Sequence, residues 1–127
     1  MPKQTVVIVE MEPQLADAYE LFLAARGYHV TAATSMGAAL RAVGGRPPEV
    51  LVIGTLPDSV DAGTVAERVR AMVAPRPIAV VVLAASMDAI PAADLVVPRG
   101  LHPRAVMDAI RTVQRRRPIT APLAKVS

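Results

Sequence analysis

Short apolar runs rich in β-branched residues alternate along the chain with longer segments whose apolar positions recur every three or four residues. The runs TVVIVE (5–10), HVTAA (29–33), VLVIG (50–54), AVVVLA (79–84) and LVVP (95–98) each predict a strand. The first, third and fourth are apolar without a break, the mark of central parallel strands covered on both faces. The second mixes polar and apolar positions, as an edge strand does.

The intervening segments have helical spacing. Leu15, Tyr19, Phe22 and Leu23 share a face after Pro13, a residue tolerated in a first turn, and Gly27 supplies a C-terminal stop. Ser35 suits the N-cap of a short helix carrying Ala39, Leu40 and Val43, halted by GGRPP. Val65, Val69 and Met72 mark a third helix beginning near Asp61. Val106, Ile110 and Val113 mark the last, with Pro103 in its first turn. From Pro118 the text PITAPLAKVS has no period and reads as a disordered tail or linker over 118–127, after a single domain spanning 1–117.

Such alternation predicts an α/β fold: a doubly wound five-stranded parallel sheet with right-handed crossovers and helices on both faces. Ligands of these sheets sit beyond the C-terminal strand ends, at the point where strand order reverses. The tips to inspect are therefore Glu10, Gly54, Ala84 and Pro98.

Composition removes several functions. A length of 127 residues suits one domain, and no apolar run approaches the roughly 20 residues that cross a bilayer. MPKQTVV lacks the layout of a secretion signal, so a soluble cytoplasmic protein is expected. The absence of cysteine excludes disulfides, thiolate nucleophiles and sulfur metal sites. One Phe, two Tyr and no Trp leave little to stack on bases. The net charge of +3 owes much to Arg115, Arg116 and Arg117, a run that solvates a helix end more readily than it makes a nucleic-acid face. No Gly-x-Gly-x-x-Gly or Gly-x-x-x-x-Gly-Lys offers a phosphate cradle.

The polar residues have ordinary readings. Glu10 and Glu12 precede a helix, where acids are favoured by its dipole without any cation. Asp58 and Asp61 suit turn and N-cap chemistry. His29 and His102 stand apart from other metal-competent residues. Arg99 and Arg104 flank the start of the last helix and form a candidate anion or partner contact. Neither a metal site nor a cofactor is expected.

Element order, together with VIVEMEPQLADAYELFLAARGYHV, RPPEVLVIGTLP, AVVVLAA and HPRAVMDAIRTV, resembles the receiver domain of two-component response regulators from residue 5 to about 116. The resemblance implies the flavodoxin-like strand order 2-1-3-4-5. It also implies a chemistry: an acid pair after strand one that holds magnesium, a phosphoryl-accepting aspartate ending strand three, a hydroxyl ending strand four, and a lysine after strand five. Carried onto this chain, the acid pair falls on Glu10 and Met11, the acceptor on Gly54 (or Thr55 if shifted by one), the hydroxyl on Ala84 and the lysine on Pro98. Magnesium prefers hard oxygen ligands, so Met11 is no substitute for an acid. Glycine offers no nucleophile, and Ser86 is a poor stand-in for the hydroxyl.

ASMDAIPAADLVV is also too short for the family's fourth helix, which is expected to be shortened to one turn at SMDAI or missing. LVV carries no aromatic switch residue. The resemblance thus implies a pseudo-receiver, a non-enzymatic, phosphorylation-independent signalling module acting by protein–protein contact. A second copy of the chain is one candidate partner, and the contact face is either rebuilt around the lost helix or moved elsewhere. The alternative is a basic regulator binding DNA or an anionic surface through RTVQRRRP and the tail.

Overall fold

The computed structural model describes residues 4–86, 89–100 and 102–126, with side chains described as far as Arg115. Five strands, β1 (Thr5–Val9), β2 (His29–Ala33), β3 (Val50–Ile53), β4 (Ala79–Ala84) and β5 (Leu95–Pro98), form one parallel sheet in the order β2-β1-β3-β4-β5. Four helices connect and follow them: α1 (Pro13–Ala25), α2 (Met36–Gly45), α3 (Ala62–Val73) and α4 (Pro103–Val126). The order expected from sequence is the order observed.

Every residue of β1 and β3 is buried, because successive side chains of a strand point to opposite faces and both faces are covered. Val6, Ile8, Val50, Val52, Val81 and Leu83 pack with Tyr19 and Leu23 of α1 and Val106 and Ile110 of α4. Val7, Val9, Leu51, Ile53, Val80 and Val82 pack with Val43 of α2 and Val65 and Val69 of α3. Both edge strands, β2 and β5, are largely only part-buried or exposed.

Local chemistry sets the helix ends. The Ser35 hydroxyl accepts from the Ala38 N–H at 3.1 Å, and Asp61 accepts from the Thr64 N–H at 3.0 Å. At the end of α1, the Gly27 N–H donates to the Ala24 carbonyl and the Tyr28 N–H to the Leu23 carbonyl. That closing pattern places Gly27 at φ +94°, where a side chain would be strained. His102 caps α4: its Nδ1 accepts from the Arg104 N–H at 3.0 Å and its carbonyl from the Ala105 N–H at 2.8 Å.

Three expectations change. Met72 does not belong to the core face of α3: it is 44% exposed, and Val73 takes the buried position one residue on. Strands one and three end a residue early, so Glu10 and Gly54 stand just past the sheet. The expected tail is helical backbone as far as Val126, in continuation of α4. Pro118 predicts a break because it lacks an N–H and crowds the preceding turn, yet its fixed φ is itself compatible with a helix. Residue 127 lies outside the described residues.

Between β4 and β5 no helix occurs among the described residues. The single turn expected at 86–90 falls partly on residues 87 and 88, which lie outside them. The connection at 89–94 is instead a strap tied to α3. Arg70 donates to the Ile78 carbonyl at 2.8 Å and, through Nη2, to the Ala92 carbonyl at 2.9 Å and Asp94 at 3.0 Å. Asp94 also accepts from the Val80 N–H at 2.7 Å, fastening the strap to β4. Ile90, Ala92 and Ala93 cover part of the apolar sheet face.

Candidate functional site: the C-terminal strand tips

β1 and β3 run parallel in register, with Val9 beside Ile53, so the next residues, Glu10 and Gly54, meet at the sheet's C-terminal edge. The Gly54 N–H donates to the Val9 carbonyl at 2.8 Å, and the Glu10 N–H to Ala33 at 2.9 Å. Glu10 is completely buried. Its Oε1 accepts from the Thr55 N–H at 3.1 Å and its Oε2 from the Glu12 N–H at 3.0 Å. The expectation that Glu10 and Glu12 act alike at a helix start gives way here. Glu12 makes no side-chain cap, whereas Glu10 binds both the helix entrance and the tip of β3.

The carboxylate lies against Gly54, the residue on which the resemblance sets the acceptor. A Cβ built on Gly54 would stand 2.2 Å from Glu10 Oε1 and 3.1 Å from its Cδ, distances no side chain survives without displacing Glu10. A carboxylate one methylene longer than aspartate therefore crosses from β1 and takes the place that a side chain on Gly54 would need. Its burial costs several kcal/mol, offset by hydrogen bonds that return about 1.5–3 kcal/mol each when an acceptor is charged.

Met11 is half-buried and joins the apolar cluster under α2 and α3, while its N–H donates to the Thr55 carbonyl at 3.0 Å. Ala84 pairs in register with Pro98, and its carbonyl accepts from the Arg99 N–H at 2.9 Å. Gly54, Ala84 and Arg99 line a cleft of about 360 Å³, walled by Leu56, Val60 and Ile90. Asp58 stands exposed at its rim.

Tyr19, read from sequence only as a core residue, belongs to the same electrostatic neighbourhood. Burial raises its hydroxyl pKa above 10.0, the Glu10 charge pushes it further up, and Arg99 pulls it down. Helical spacing revealed its apolar body but not the direction of its polar end.

The basic residues are spread out. Arg99 lines the strand-tip cleft, while Arg104 lines a separate groove with His102, Ala105 and Asp108. Arg115 is exposed further along α4, and the side chains of Arg116 and Arg117 lie outside the described residues. His29 faces Arg46 at 3.3 Å. The His102 ring packs edge-on against Phe22, centroids 5.6 Å apart. Among the described residues no group of three or more His, Asp or Glu is placed to hold a metal ion.

No protein-family model matches the chain, and no curated protein matches it. Solved structures do. A CheY-like receiver domain from Methanospirillum hungatei JF-1 has a TM-score of 0.72 at 20% identity, over 87% of this chain and 92% of its own. The chemotaxis protein CheY4 of Vibrio cholerae has a TM-score of 0.77 at 14% identity, over 87% and 98%. The response regulator TrrA of Thermotoga maritima, solved with magnesium and BeF, has a TM-score of 0.72 at 16% identity, over 87% and 98%. The chain has the receiver fold, with four helices around the five-stranded sheet among the described residues.

Proposed function

We propose that the chain is a pseudo-receiver: a regulatory module of the cytoplasm that works by protein–protein contact and is not phosphorylated. The observation that carries this reading is the Glu10 carboxylate packed over Gly54. Phosphoryl transfer to a receiver needs a free carboxylate beside a bound cation and fixed donors for the developing charge. Here the carboxylate at that place is buried and already bonded to two backbone N–H groups. Met11 offers a thioether where magnesium wants oxygen. The magnesium and BeF held by the Thermotoga protein have no matching ligand set at Glu10, Met11 and Gly54.

Such a module signals by being present and bound, its state set by differential affinity for a partner and not by covalent charge. The receiver-like unit ends near residue 117, and the segment beyond it acts as a linker. Incubation with acetyl phosphate and magnesium, read by intact mass, is expected to leave the mass unchanged. A gain of one phosphoryl group would overturn the proposal.

A further inference from the structure

We propose that the cleft at the tips of β3, β4 and β5 binds a small organic anion, its acidic group held by Arg99 and its apolar body laid against Leu56, Val60 and Ile90. The cleft lies outside the carboxyl ends of parallel strands, where such sheets take their ligands, and its volume of about 360 Å³ suits a small molecule. It is hollow for a local reason. Gly54 and Ala84 place no long side chain over the strand tips, and Glu10, the one carboxylate that reaches across, turns onto Thr55 and Glu12 instead of entering the cleft.

Charge narrows the ligand. Among the described residues the Arg99 guanidinium makes no hydrogen bond or ion pair, whereas Arg70 spends its donors on Ile78, Ala92 and Asp94. Asp61, also on the wall, gives its carboxylate to the Thr64 N–H and hydroxyl. Asp58 stands exposed at the rim, where water and salt screen it. The cleft thus offers one exposed guanidinium and the apolar side chains of Leu56, Val60 and Ile90, with the carboxylates of Asp58 and Asp61 also on its lining, a set that suits a single carboxylate or sulfonate on an apolar body and disfavours any further negative charge. It serves inorganic phosphate poorly, since a multiply charged and strongly hydrated ion would need further cations or donors. A second cavity of about 210 Å³, which shares Asp61 and Ile90 with this one, lies alongside it past Gly63 and Glu67.

Occupancy of the cleft does not depend on whether the strand tips accept a phosphoryl group, so this site and the absence of phosphorylation stand or fall separately. The probe is anilinonaphthalene sulfonate, an anion with an apolar body, titrated into the full chain and followed by fluorescence and two-dimensional NMR. Saturable one-to-one binding is expected, with shifts clustered at Gly54–Ala62, Ala84 and Arg99. Arg99→Gln and the cleft-filling Ala84→Leu should each weaken binding at least about tenfold, which is about 1.4 kcal/mol. Arg99→Lys should retain most of it, and Arg104→Gln, in the other groove, should change nothing. Shifts centred on His102 and Arg104, an Arg99→Gln variant that binds like the parent, or equal competition by inorganic phosphate would each overturn the proposal.

Discussion

At the C-terminal end of one sheet, the tips of β1 and β3 are finished in one way and the tips of β4 and β5 in another. On the first side a carboxylate from one strand lies beside a glycine of the next, both of its oxygens bonded, with no room for a side chain on that glycine. On the second side short residues leave a cleft, the Arg99 side chain makes no hydrogen bond or ion pair among the described residues, and 89–94 form a strap tied to α3. The closed side has no room for a side chain between its two strand ends. The open side keeps room and an exposed guanidinium, and the proposed anion would sit there.

The largest effect is expected where the closed side is forced open. Gly54→Asp would set a second carboxylate against the fully buried Glu10, both a clash and a like-charge pair. A loss of about 4 kcal/mol in urea unfolding is expected. Adding Glu10→Ala to the same chain should add no further loss and bring the double variant back to about 2–3 kcal/mol below the parent, the cost of Glu10→Ala alone, which strands the N–H groups of Thr55 and Glu12. If Gly54→Asp unfolds within about 0.5 kcal/mol of the parent, or if the two losses add, Glu10 does not fill the acceptor position.

A smaller effect is expected at the strap. Arg70→Ala removes the donors to Ile78, Ala92 and Asp94, on side chains about a third exposed, so about 1–2 kcal/mol should be lost. The location matters more than the size. Amide hydrogen exchange should quicken at 89–94 and at Val80, while the amides of β1 and β3 stay protected. Arg70→Lys should restore little, since a single ammonium does not reproduce a fork spanning three acceptors. Uniform quickening across the sheet would show that the strap has no independence from the closed side.

These two regions were unequally legible in the sequence. The five strands, the caps at Ser35 and Asp61 and the stop at Gly27 follow from local patterns of apolar spacing and turn chemistry, while the strand order follows from the resemblance to receiver domains. A fourth helix shortened or lost follows from counting residues between Ala84 and Pro98, and among the described residues there none is helical. Met11, Gly54, Ala84 and Pro98 are visible as departures from a motif, each judged by its own chemistry. The Glu10–Gly54 fit was not visible, because it joins residues far apart in sequence and depends on both strands ending at the same level. The Arg70 fork is hidden for the same reason: its partners Ile78, Ala92 and Asp94 converge only after α3, β4 and β5 are packed. Met72 marks the finer limit, since helical spacing from Val69 allows either Met72 or Val73 to face inward, and packing against the sheet decides.

Tyr19 joins the two sides and gives the smallest effect. Its hydroxyl pKa is raised by burial first and by the Glu10 charge second, while Arg99 lowers it. An unfolded chain loses this proton near pH 10, whereas the folded chain holds it to higher pH, so between those values the unfolded state binds fewer protons. Stability must then fall as pH rises from about 10 toward the folded value, and be fully present below about 10. Urea unfolding of the parent and of Tyr19→Phe, compared from about pH 9 to about pH 11, should show two curves that converge as pH rises, because the phenylalanine variant lacks this loss. Groups common to both chains cancel in the difference. Arg99→Gln sharpens the test: without the guanidinium, the Tyr19 pKa rises further and the loss extends to higher pH. Parallel curves for parent and Tyr19→Phe would mean that Tyr19 titrates as it does in the unfolded chain. Identical curves for parent and Arg99→Gln would mean that the charge of the open side does not reach the closed one.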